Sequence, residues 1–477
     1  MLTPALAHRE RLERALGPRS PADLGSGTVL VIPSITFPAE ELRKIVGIQH
    51  YEERLLCLLL QLRQPDLRMV FVTSAAVDPV VIDYYLSFLD DPDDARARLT
   101  MIALGDEEPR ALSEKLSGRT DVLERIRDAC GPDTYMLTFN VTRLELECAE
   151  KLGVQLYGPH PQIVDLGSKS GARSIAADAG VDLLPGAEDI YTRAALVEAL
   201  RSLQPTAAAV IKLNNGFSGQ GNAILDLGAL TEPLEDTPTV FCAGEESWPS
   251  FLAKIEAEGA VVERLARGKG LASPSVQMRA LPDGSVEVVS THDQILGGPD
   301  EQVYLGCRFP ASPLYRLQIA DQAQRVGKAL ADRGVVGPFG LDFLVVPSAS
   351  GSEVFLSEIN LRMGGTTHPF LMAHMVTQGE YDQGSGELLV DGSPRCYVAT
   401  DNLKSQAYVG LTPRAVIDAV AAAGLAYEPA THTGVLLHLL GALPAFGKLG
   451  ATCIARGPEG AEELYLRLIE ELDSVSL

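Results

Sequence analysis

Residues 355–370 read FLSEINLRMGGTTHPF. Phe355 and Leu356 have strand character, and Glu358, Asn360 and Arg362 then occupy alternate positions before Gly364 and Gly365. Successive side chains of a strand point to opposite faces, so the carboxylate, the amide and the guanidinium project from one side. Upstream, GPFGLDFLVV places Asp342 inside an apolar strand, and the turn-rich connector PSASGSE predicts that the two strands pair antiparallel. Such a pair gathers the oxygen donors of Asp342, Glu358 and Asn360 at one place. A few hard ligands, with phosphate completing the shell, suit Mg2+ better than zinc. The competing reading makes Asp342 a turn-edge residue and Glu358 part of a solvated face. Two carboxylates buried side by side are costly without a cation, which favours the metal. Arg362 has the same parity and suits charge developing on a transferred phosphoryl group, although alone it is an ordinary surface arginine.

A second constellation is VIKLNNGFSGQGNAI, residues 210–224. A strand ends in Lys212, and Gly216, Gly219 and Gly221 follow before another apolar run. Glycines let backbone N–H groups approach an anion, and a lysine adds a point charge for phosphate. The spacing is not that of a Walker P-loop, and a plain glycine-rich hairpin with a surface lysine also fits.

With 477 residues the chain is long enough for two to four domains. Hydrophobic residues make up 46% and charged residues 22%, a globular balance. The net charge of -23 argues against nucleic acid or an anionic membrane as partner. Seven scattered cysteines without a CxxC pair predict free thiols in a reducing, cytoplasmic setting. The start, MLTPALAHRERLERALG, reads as an amphipathic helix rather than a signal peptide. The apolar run Leu55–Leu60 is far short of the roughly 20 residues that span a membrane. The surrounding stretch, residues 51–62, reads as core or as the interface of a homodimer.

From Thr28 to about residue 150, strand-like runs (TVLVIPS, RMVFVTS, LTMIALG, TYMLTFN) alternate with helical ones, the pattern of a parallel sheet. Residues 151–385 form a second region with mixed strands, where SVEVV after PDG predicts a hairpin. Gln378–Ser393, polar and glycine-rich, reads as a linker or surface loop, and residues 386–477 as a small α/β extension.

Taken together, these pieces resemble the ATP-grasp superfamily, over roughly residues 150–375. In that resemblance Lys169, in LGSKSGARSIAADAGVDLLPG, matches the first nucleotide-binding lysine. Lys212 with Gly216, Phe217, Ser218, Gly219 and Gly221 matches the second lysine and its loop. Glu263 and Leu265 match the adenine hinge, Asp342, Glu358 and Asn360 the metal ligands, and Arg362 the catalytic arginine. After the hinge stands RGKGLA, where the family often has an acidic ribose contact, so that contact stays unassigned. The resemblance implies an α/β and α+β architecture. A Rossmann-like pre-grasp domain (1–150) precedes an ATP-grasp domain of two subdomains (151–385) and the C-terminal extension (386–477). It also implies ATP with Mg2+, or Mn2+ in its place, and small-molecule acid and amine or peptide substrates. The metal strand and the extension look most like peptide ligases of the pheganomycin-biosynthesis type, enzymes of antibiotic biosynthesis.

The implied reaction activates a carboxylate as an acyl phosphate, which an amine then attacks, releasing ADP and phosphate. An ATP-grasp kinase and a non-catalytic nucleotide-binding scaffold are the alternatives. Arg279 and Arg308 are candidates for a substrate carboxylate or a phosphate. His368 follows the glycines and is a substrate candidate too, although THPF also reads as a helix start.

Overall fold

The computed structural model describes residues 3–17, 26–203, 208–216, 221–243, 246–268, 270–297, 303–348 and 351–475. Its first sheet holds β1 (Ser26–Val31), β2 (Asp66–Thr73), β3 (Leu99–Ala103), β4 (Tyr135–Leu137) and β5 (Gln155–Leu156). All pairs are parallel, in the order β3-β2-β1-β4-β5. Helices cover both faces, so the strands read as continuous apolar runs, with Val29–Val31 and Met69–Val72 buried. The segment Ile48–Arg63 winds as a 3-10 helix, and Leu55–Leu60 lie in the core rather than at a free surface.

Strand order reverses beside β1, so a crevice opens at the carboxyl ends of β1 and β4. Asn140 staples those two strand ends together. Its Oδ1 accepts from the Thr36 N–H at 2.8 Å, and its Nδ2 donates to the Thr36 carbonyl at 3.0 Å. The Met363 N–H donates to the Phe139 carbonyl at 3.0 Å, and the Arg362 guanidinium lies 5.5 Å from the centre of the Phe37 ring. The open end of the first sheet is thereby clamped to the end of the EINLRM segment.

The second sheet is antiparallel: β6 (Gly186–Ile190), β7 (Ala208–Leu213), β8 (Asn222–Asp226), β9 (Thr239–Phe241) and β10 (Ala260–Arg264), in the order β6-β10-β7-β8-β9. A third sheet begins with β11 (Pro274–Ala280), β12 (Val286–Gly297), β13 (Val303–Phe309), β14 (Gly337–Ser348) and β15 (Gly351–Asn360). It continues with β16 (Glu380–Asp382), β17 (Glu387–Val390), β18 (Ser393–Lys404), β19 (Gly434–His438) and β20 (Lys448–Ala455). The hairpin expected at PDG joins β11 to β12, with Gly284 at φ +85° closing the turn.

One expectation fails. Gln378–Ser393 is no linker: β16 and β17 form a hairpin there, and β17 pairs with β18. β18 in turn pairs with β13 and β20, so the C-terminal region extends the third sheet. Its apolar side chains (Leu436, Leu440, Leu449, Leu468) share one core with Leu55, Leu59 and Phe71 of the N-terminal region.

Candidate active site

β14 and β15 pair antiparallel with Asp342 directly opposite Glu358, and a bulge follows between Asp342 and Phe343. The alternation read from the sequence holds: Ile359, Leu361 and Met363 are buried, while Glu358, Asn360 and Arg362 occupy the other face. Asn360 Nδ2 donates to Asp342 Oδ2 at 2.9 Å, and the Arg362 guanidinium donates to the Asn360 Oδ1. On the other side, Gln294 Nε2 from β12 donates to Asp342 Oδ1 at 2.9 Å.

Lys169 is the first residue of the helix Lys169–Ala179, which Ser168 caps by accepting from the Gly171 N–H. Its Nζ lies 2.6 Å from Glu358 Oε1. Asn214, just past β7, holds this helix start: its backbone oxygen accepts from the Lys169 N–H at 3.2 Å and its Oδ1 from the Ser170 N–H at 3.0 Å. One turn along the helix, Arg173 Nη1 meets Glu263 Oε1 at 2.9 Å, while Lys212 Nζ meets Glu263 Oε2 at 2.7 Å. Glu263, at the end of β10, is 3% exposed, so a buried carboxylate joins two cations.

Burial pushes the Glu263 carboxyl up, but Lys212 and Arg173 more than reverse this and hold it below the usual range. Glu358 behaves alike, because Lys169 and Arg362 outweigh its burial. Asp342 is pushed up by burial and by the charge of Glu358, against Arg362, Lys169 and Asn360. The pair of opposed carboxylates is therefore short of positive charge, which a divalent cation would supply. Among the described residues no group of three or more His, Cys, Asp or Glu could hold a metal. Two carboxylates and an amide, completed by phosphate and water, are a donor set that fits Mg2+.

The structure thus brings Lys169, Lys212, Glu263, Asp342, Glu358, Asn360 and Arg362 together. Gly216 and Gly221 flank the neck of the β7–β8 hairpin, where Lys212 faces Asn222. Gly221 has φ +86° and passes close to the Gly216 backbone. Phe217, Ser218 and Gly219 lie outside the described residues. Leu265 follows β10, its N–H donating to the Ala208 carbonyl at 3.0 Å. The three substrate candidates are not in the cluster. Arg279 pairs at 2.7 Å with Glu287 across β11–β12, four positions along β11 from Ser275, the partner of Asp342. Arg308 pairs at 2.5 Å with Glu462 on the C-terminal helix. His368 is buried in the helix Thr367–Thr377, its ring edge-on to His438 at 4.7 Å. Arg173 and Gln294 went unread from the sequence; the spacing of Arg173 from Lys169, one helical turn, was the available signal.

A helix-start lysine and a strand lysine, each paired with a carboxylate, beside an antiparallel strand pair that carries two more polar groups, form the arrangement of the ATP-grasp class. A family model described as IQCH-like, ATP-grasp, matches residues 161–237 and 239–384, and one for the PGM1 C-terminal domain matches residues 415–468. The biotin carboxylase–β,γ-ATP complex of Campylobacter jejuni shares the fold at a TM-score of 0.58 and 14% identity, over 93% of this chain and 91% of that one. The ADP complex of N5-carboxyaminoimidazole ribonucleotide synthetase shares it at 0.53 and 14%, over 95% and 98%. The L-propargylglycine–L-glutamate ligase of Streptantibioticus cattleyicolor is 33% identical over 92% of both chains. IQ motif-containing protein H of Danio rerio is 25% identical over 71% of this chain and 37% of its own length. The chain belongs to the ATP-grasp carboxylate–amine ligases. It is therefore an enzyme of the ligase class.

Proposed function

We propose that this ligase makes a peptide bond between two amino acids or between an amino acid and a peptide. The observation that carries the reading is the convergence of Lys169 and Arg362 on the Asp342–Glu358 pair, with Lys212 beside it on Glu263. In this reading ATP lies between the β6–β10 sheet and β11–β15, its adenine at Glu263 and Leu265. Lys169 and Lys212 exchange their carboxylate partners for phosphate oxygens. Asp342, Glu358 and Asn360 would hold Mg2+, with Mn2+ as a substitute, and the ion would supply charge neutralisation for the phosphates. A substrate carboxylate oxygen attacks the γ-phosphorus and ADP leaves, giving an acyl phosphate. Arg362 stabilises the charge on the transferring group, held in aim by Asn360 and by the Phe139 contact of Met363. The amine then attacks the acyl carbon and phosphate departs, the amine proton passing to solvent. The identity shared with the L-propargylglycine–L-glutamate ligase over nearly the whole chain supports amino acids as both substrates. Residues 1–150, 151–385 and 386–477 serve in this scheme as pre-grasp platform, nucleotide cradle and substrate-side extension.

The test is ADP release measured over a panel of amino acids and short peptides, with mass spectrometry of the products. ADP release that needs both an acid and an amine, with a condensed product, is expected. A stable phosphorylated product formed without an amine would make the protein a kinase.

A further inference from the structure

A second polar cluster lies behind the glycines that follow Arg362. Tyr304 of β13 packs on Gly365 so tightly that a Cβ there would sit 2.6 Å from the ring. Next to Tyr304, a bulge in β18 between Thr400 and Leu403 turns Asp401 and Asn402 out of the ladder. The Asn402 amide reaches the Tyr304 carbonyl at 3.3 Å, and Asp401 pairs with Arg54 from the segment Ile48–Arg63. Arg54 also lies 4.0 Å over the ring of Tyr51, whose hydroxyl accepts from Lys448 Nζ at 2.6 Å.

Three features of this cluster are unexplained by packing. Both ring nitrogens of His368, Nδ1 of His438 and Nε of Arg54 are buried without a hydrogen-bond partner. His368 is 3% exposed and His438 1%. Lys448 is as deeply buried, so Asp401, already paired with Arg54, is left to balance a second buried cation, while Lys404 beside it across β18–β20 is exposed. Burial pushes Lys448 down to about 8. Leu439, directly after His438, has φ +55°, a strained conformation for a bulky residue. Orphaned donors, unbalanced cations and backbone strain in one place are a combination that a purely structural core avoids.

We propose that this cluster is the subsite that takes the carboxylate of the amine substrate, the α-carboxylate of an amino acid. The proposal rests on the peptide-ligase reading above. One carboxylate matches the unpaired positive charge and the planar guanidinium edge of Arg54, and His368 supplies a further N–H. Tyr304 and Asn402, half-buried, form its outer wall on the side of Gly365. An α-amino group is one carbon away from its carboxylate, so a carboxylate fixed here would direct the amine past Tyr304 toward Gly365, three residues beyond Arg362.

The experiment is titration calorimetry of the full chain with a panel of L-amino acids, including L-glutamate and aliphatic ones, and with their α-carboxamides. The acid that serves as acceptor should bind at least about 10-fold tighter than its amide. Lys448→Met and His368→Asn should each shrink that ratio by about 10-fold, with the KM for ATP within twofold of wild type. Tyr51→Phe removes only the hydroxyl that holds Lys448, and should move the ratio the same way if the other variants fail to fold. Equal binding of acid and amide, binding of neither, or a ratio unchanged in the folded variants would overturn the subsite. A carboxylate-selective protein that forms no peptide product would instead overturn the peptide-ligase reading and leave the carboxylate site standing.

Discussion

Asp342→Asn should make the empty protein more stable and the enzyme nearly inactive. Asp342 and Glu358 are direct partners across β14–β15. At the ~5 Å Cβ separation of such a pair, two like charges at an effective dielectric of 20 repel by about 3 kcal/mol. Lys169 and Arg362 cancel part of this, leaving about 1–2 kcal/mol for the variant to recover. The amide oxygen keeps the hydrogen bond from Asn360, and a half-turn of the Gln294 amide turns its oxygen toward the new donor. Asp342 is raised in the folded state above its unfolded value, so its ionised form costs stability. That cost disappears as pH falls through the raised folded value toward the ordinary carboxylate value of about 4. Scanning fluorimetry of the empty protein near neutral pH should thus show a midpoint higher by on the order of 2 °C for the variant. The difference should fade as the wild type is acidified. Mg-ATP at about 100 times its Kd should add about 2.7 kcal/mol to the wild type, and far less to the variant. Turnover should fall by at least about 100-fold, since several kcal/mol of charge stabilisation depend on the ion. A variant that melts below the wild type and keeps its turnover would refute the metal-site reasoning.

Glu263→Gln leaves the half-buried Lys212 without its counter-charge while Arg173 keeps Glu188 at 2.8 Å, and should cost about 3 kcal/mol in urea unfolding of the empty protein. Arg362→Lys keeps the charge but loses the planar fork that Asn360 holds; kcat should drop by about 10- to 1,000-fold with the KM for ATP nearly unchanged, and a change in KM alone would count against its role. Gly365→Ala should displace Tyr304 and raise the KM for the amine substrate more than that for ATP, as steady-state kinetics would read. Maleimide labelling of the folded protein should reach Cys130 and Cys242 only, because the other five thiols are buried.

The part of the site legible in the sequence is the part whose chemistry is local. Glu358, Asn360 and Arg362 announce themselves because a strand has a period of two and polar residues on one face of it demand a reason. Arg173 and Gln294 gave no such sign. Each acquires its role from a partner, Glu263 or Asp342, that is 90 or 48 positions away. The helix Arg316–Ala331 also went unread, although Ile319, Ala323, Val326 and Leu330 follow a helical period. Gln378–Ser393 misled for a physical reason: β16 is a short edge strand, and such edges are kept polar to discourage pairing with other chains. Two of its four glycines, Gly386 at φ +70° and Gly392 at φ +71°, are turn residues rather than linker residues.

What no local pattern could reveal is that the two ends of the chain meet behind the active site. β13 has β12 on one side and β18 on the other, so the C-terminal region completes the sheet that carries Asp342 and Glu358. Arg54, from the N-terminal region, reaches Asp401 of β18 across 347 positions, and Gly441 donates its N–H to Glu53 across 388. A chain with a net charge of -23 that nevertheless gathers Arg54 and Lys448 near one buried aspartate, Asp401, has assembled that cluster from three distant segments. Side chains so far apart in sequence are held together by folding alone. Their common position is one tyrosine ring away from the glycines after Arg362, which is where the proposed subsite puts the C-terminal region to use.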